Sequence, residues 1–133
     1  MKKLLLLTAF SSMATSAPYD AIERNAISSA FDALQAFQVL TYVAKQCRQE
    51  GEVEYAPKTD LDSLIHNKLH INLDELERLA LTREAYLQSY QYQISDIECS
   101  LIRVAEYYDD YDMAKFNFEL YQPISRPLAV SDE

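Results

Sequence analysis

"AISSAFDALQAFQVLTYVAKQC", residues 26–47, carries two apolar series side by side. Ile27, Ala30, Leu34, Phe37, Thr41 and Ala44 recur at alternating spacings of three and four; Ala33, Ala36, Leu40, Val43 and Cys47 run beside them. Such spacings place residues on one side of an α-helix, and two adjoining series make a face wide enough for more than one neighbouring helix. The stretch predicts a first helix over residues 20–50, with Gly51 just past its end as a C-cap.

The same period continues beyond it. Residues 52–58 read as a polar connector containing Pro57. Thr59, with Asp62 three residues on, has the form of a capping box before a short helix whose apolar side is Leu61, Leu64, Ile65 and Leu69. Asn72 with Glu75 offers the next start. From there Leu73, Leu76, Ala80, Leu87, Tyr90, Ile94, Ile97, Leu101, Val104 and Tyr108 keep a near-heptad rhythm, with Arg83 in the one charged slot. A single helix of that length is too long for a chain of 133 residues. Ser95 and Glu98 repeat the capping-box pattern, which places a break between Gln91 and Ser95. One glycine and four prolines argue against a β-rich fold with many tight turns. The expectation is an all-α small helical bundle, with three long helices plus one short one.

Cys47 and Cys99 are the two cysteines. They lack the short spacing of a redox or metal pair, so the expected role is one structural disulfide. It would tie the end of the first helix to the start of the last and set the two antiparallel.

Lys2 and Lys3, the apolar run over residues 4–10 and the small residues over 11–17 have the form of an export signal. The run is far shorter than the roughly 20 apolar residues of a membrane span. Cleavage after Ala14 or Ala17 fits, and Pro18 would hinder the second. The expected organisation is a signal peptide over 1–14 and a single helical domain over 15–133, periplasmic or secreted. That compartment is one in which a disulfide persists.

The chain carries 12 basic and 21 acidic residues, a net charge of −9. Loss of Lys2 and Lys3 would take it to −11. Such a surface repels nucleic acid and anionic lipid and attracts a cationic protein.

That charge meets aromatic density in "AEYYDDYDMAKFNFELYQP", residues 105–123. A core stripe through Ile94, Ile97, Leu101, Val104 and Tyr108 would next reach Asp112 and then Glu119, and buried carboxylates are costly unless paired. The core is therefore expected to end near Tyr108. Phe116 to Leu120 alternates apolar and polar, and the residues before Pro123 and Pro127 favour extended backbone, so an extended or flexible tail is expected over 116–133. Tyr107, Tyr108, Asp109, Asp110, Tyr111 and Asp112 then form a candidate partner-binding surface. The tyrosines would supply contact area and the aspartates would steer a basic partner. The competing reading packs Tyr107, Tyr108 and Tyr111 on the first helix and leaves the aspartates solvated. A calcium site is weaker, since the EF-hand glycine and glutamate spacing is missing.

His66 and His70 stand four apart, with Asp62 four before and Asp74 four after. On one continuous helix Asp62, His66 and His70 would share a face, as metal ligands do. Asn67, however, occupies the place of the general base in H-E-x-x-H, and a nucleophile turn or phosphate-cradling loop is missing from the sequence. The expectation is a protein that is not an enzyme, uses no cofactor and binds a basic protein, with an inhibitor or immunity protein as the sharpest form. An envelope chaperone or assembly factor is the alternative, and weak metal binding through His66 and His70 the third. The wide face of the first helix also suits a homodimer.

Overall fold

The structure, a computed structural model, describes residues 19–48 and 56–129. The expected signal peptide and Gly51 lie outside them. The described residues are all helical in their regular structure, with α1 over Ala21–Gln46, α2 over Ala56–Leu69, α3 over Leu73–Leu81, α4 over Glu84–Ile94 and α5 over Leu101–Glu119. None of these helices is long and apolar enough to cross a membrane.

The first helix is the centre of the bundle, in contact with each of the other four. Asp20 caps it: its Oδ1 accepts from the Glu23 amide at 2.8 Å, while Glu23 Oε1 accepts from the Asp20 amide at 3.2 Å. Both apolar series are used. Ala30, Leu34, Phe37 and Ala44 of the first are buried, as are Ala33, Leu40 and Val43 of the second. Thr41 is exposed, its hydroxyl donating to the Phe37 carbonyl. The helix stops four residues earlier than expected. Arg48, at φ 61°, takes the left-handed position expected of Gly51.

The second helix begins one turn before Thr59, so Thr59 is not its cap. Pro57 fits in that first turn, where a helical amide has no partner to lose. Asp62 serves the next helix instead, its Oδ1 accepting from the Leu73 amide at 2.8 Å. Asn72 and Glu75 form the expected capping box at the start of α3.

The expected third long helix is divided. It breaks at Thr82 and Arg83, where the Thr82 hydroxyl turns back to the Leu79 carbonyl and the Arg83 guanidinium lies 4.4 Å from the centre of the Phe31 ring. The charged slot is thus a break in the helix. Beyond it, α4 has no fully buried residue. Half-buried Tyr86, Tyr90 and Ile94 and a polar lattice hold it to α1: Gln35 Nε2 donates to the Tyr86 carbonyl and Ser89 Oγ to Gln35 Oε1.

Cys47 and Cys99 are joined by a disulfide, with Cα atoms 5.4 Å apart. The last helix starts two residues later, capped by Ser100 rather than Ser95. It lies antiparallel to α1, its C-terminal end at Asn117 and Leu120 facing Asn25 and Ser29 near the start of the first helix. Two sequence expectations fail here. The core does not end at Tyr108, because Tyr111 is buried and Phe118 is completely so. The period-2 pattern over residues 116–120 is not extended chain, since α5 continues to Glu119.

Only from residue 121 is the chain extended, and there it is a docked strap. Ile124 and Leu128 are buried; their amides donate to the Lys68 and Leu69 carbonyls at 2.9 and 3.0 Å. Those carbonyls belong to the last turn of α2, whose C-terminal carbonyls need partners. At the other side, the Ser125 amide donates to Glu23 Oε2 at 2.7 Å and the Tyr19 hydroxyl to the Pro127 carbonyl at 2.9 Å.

The Ser125 bond, foremost, holds the Glu23 carboxyl below the usual range. A carboxylate whose folded value is lowered stabilises above its unfolded value and loses that contribution as pH falls through the folded one. The protection of the Ser125 amide against hydrogen exchange, taken relative to its intrinsic rate at each pH, is therefore expected to fall on acidification below about pH 4.5. Glu23→Gln should flatten that dependence. An acid response unchanged by Glu23→Gln would show that the strap is held otherwise.

Candidate partner-binding face

Val104, Tyr107, Tyr111 and Phe118 form the buried side of α5, at spacings of three, four and seven. The six candidate residues therefore divide. Tyr107 and Tyr111 turn inward, 7% and 4% exposed. The Arg103 guanidinium covers the Tyr107 ring at 4.6 Å and donates from Nη2 to its hydroxyl at 2.9 Å. Tyr111 packs against Phe37 with ring centres 5.8 Å apart, and its hydroxyl donates to the Pro57 carbonyl at 3.2 Å. Burial, then the nearby carboxylates of Asp60, Asp112 and Glu119, keep that hydroxyl protonated well beyond the usual phenol range. Tyr108 is half-buried against the core. These rings pack as core, and the expectation that they present a tyrosine surface does not hold for Tyr107 and Tyr111.

Asp109, Asp110 and Asp112 do face solvent. The two cations of α5 are committed elsewhere. Arg103 pairs with Glu106 at 2.5 Å, and Lys115 lies 3.7 Å from Glu119. Among the described residues, none of the three aspartates forms an ion pair. The middle of this helix therefore presents uncompensated negative charge.

Sequence reasoning missed what lies between those charges. Ile102, Met113, Phe116 and Leu120 are large apolar side chains at 76%, 62%, 55% and 66% exposure. With Asp109 they follow one line, at spacings of seven, four, three and four, on the side of α5 opposite its buried residues. The periodicity was present in the sequence. It was hidden because Leu101, which is exposed, was placed on the core side.

The histidines are separated. His66 is an exposed residue of α2; His70 lies past its end at φ 60°, which takes it off the Asp62–His66 face. Its Nε2 is 2.8 Å from the Ile124 carbonyl, which accepts its proton. Among the described residues, no group of three or more His, Cys, Asp or Glu could hold a metal ion. A cleft of about 870 Å³ opens between α1, α2, α3 and α4, lined in part by Phe37, Tyr42, Tyr86 and Tyr90; it includes none of the α5 aspartates.

No family model matches this chain, and the curated proteins and solved structures likewise hold no significant match. The fold defines a small disulfide-closed helical bundle, and what its outer helix does rests on the chemistry of that helix.

Proposed function

We propose that this is an exported, non-enzymatic binding protein that recognises a basic protein partner, acting as an inhibitor or immunity protein does by masking it. The carrying observation is the exposure of Asp109, Asp110 and Asp112 on one helix whose own cations are already paired. Carboxylates in that state attract a cationic surface over a Debye length and form charge-assisted bonds with its Arg and Lys side chains. The leader-like residues 2–17 and the disulfide support an oxidising compartment.

The test is capture from an envelope extract at low and then high salt, with the oxidised protein as bait. One stoichiometric basic protein, released by salt, is expected. Changing Asp109, Asp110 and Asp112 together to Lys should weaken its binding by about tenfold or more. Retention unaffected by that change would remove the mechanism. Many weak clients, equally unaffected, would favour the chaperone reading, for which the exposed Ile102, Met113, Phe116 and Leu120 speak.

A further inference from the structure

A helix on the outside of a bundle ordinarily turns charged and polar residues to water. The outward line of α5 is instead Ile102, Asp109, Met113, Phe116 and Leu120, four of its five members large and apolar. From Ile102 to Leu120 the line is about 27 Å long at 1.5 Å per residue. Carboxylates border it on both sides, Glu106 and Asp110 on one, Asp112 and Glu119 on the other; Glu106 and Glu119 pair with Arg103 and Lys115, which leaves Asp110 and Asp112 as the flanking charges offered to a partner. An apolar stripe between charged borders is how one amphipathic helix receives another.

We infer that this stripe is the seat of a basic amphipathic α-helix of the partner protein, about five turns long. Its apolar residues lie along Ile102, Met113, Phe116 and Leu120, and its Lys and Arg side chains reach down to the flanking carboxylates. The inference rests on the basic-partner reading and adds the form of the partner's recognition element.

Charge selects this occupant over a second copy of the chain. Asp109, Asp110 and Asp112 lie near the middle of the stripe. Two copies packed stripe to stripe, parallel or antiparallel, would bring these aspartates together in a dehydrated contact. Like charges so placed oppose association. A basic helix meets them with opposite charge. The division of labour is then defined: the apolar side chains supply the desolvated contact that holds the complex, and the aspartates steer and orient it.

The test uses two synthetic 18-residue peptides of identical Leu and Lys content. One has its leucines at spacings of three and four, and the other has them scrambled. Titrated into the oxidised protein, the patterned peptide is expected to bind at least about tenfold more tightly than the scrambled one. Met113→Ser with Phe116→Ser should abolish that advantage and leave the scrambled peptide unchanged. Both side chains are exposed, so a circular-dichroism melt should show the fold retained. Equal binding of the two peptides, salt-sensitive and lost on Asp109→Lys, Asp110→Lys, Asp112→Lys, would overturn the helix seat while leaving the basic-partner reading standing. No binding of either peptide would overturn both. A dimer in sedimentation that the double serine variant dissolves would assign the stripe to a second copy. Binding that appears only after removal of residues 1–18 would assign it to that segment of the chain. Either result overturns the inference.

Discussion

Phe118→Ala is expected to destabilise the protein by about 3–5 kcal/mol, the range for emptying a buried phenylalanine site. Phe116→Ala, two positions earlier, should change stability by no more than about 0.5 kcal/mol. The contrast follows from geometry. Two residues apart on a helix are about 200° apart in direction, so one ring enters the core and the other leaves it. Phe118 is 0% exposed and Phe116 55%. On a strand the same two positions would share a face and respond alike. Urea unfolding of both variants is the measurement, with the midpoint shift read at unchanged slope. Similar losses for the two would show that the end of α5 is not helical.

Removing the Cys47–Cys99 bridge is expected to cost about 4 kcal/mol in the chain-entropy model. The crosslink spans 52 positions and ties the two helices that pack together along the bundle. Its main effect is on the unfolded chain, whose freedom rises when the loop is opened. The Cys47→Ser, Cys99→Ser double variant should therefore unfold at lower denaturant while keeping its native helical signal. A loss below about 1 kcal/mol would mean that the unfolded chain holds those ends together without the bond.

The first helix was legible because it is read locally: its cap, period and two apolar series lie within one stretch. The bridge was legible from the leader-like residues 2–17 and from the spacing of the two cysteines. The outer helix was misread for a specific reason. A helix capped at Ser95 with Ile97 and Leu101 on its core side carries Asp112 and Glu119 into the core. The helix actually restarts at Ser100, and the restart rotates the buried side to Val104, Tyr107, Tyr111 and Phe118. Both carboxylates then face water, and the objection to burying them disappears. The strap was legible only as extended chain. Its partners, the Lys68 and Leu69 carbonyls and Glu23, are distant in sequence, and no local pattern announces them. Of the candidate surface, the aspartates were placed correctly in solvent, while two of the tyrosines proved to be core.

The strap also sets an order in time. Its contacts with the start of α1 join residues 108 and 102 positions apart, about twice the separation bridged by the disulfide. Closing so long a span is the slower search, and it gains little until the bundle is there to receive it. The α1–α5 pair can thus assemble and oxidise first, with Ile124 and Leu128 latching afterwards. In the finished protein, release of the same latch would uncover the start of α1 while the outward stripe of α5 stays in place.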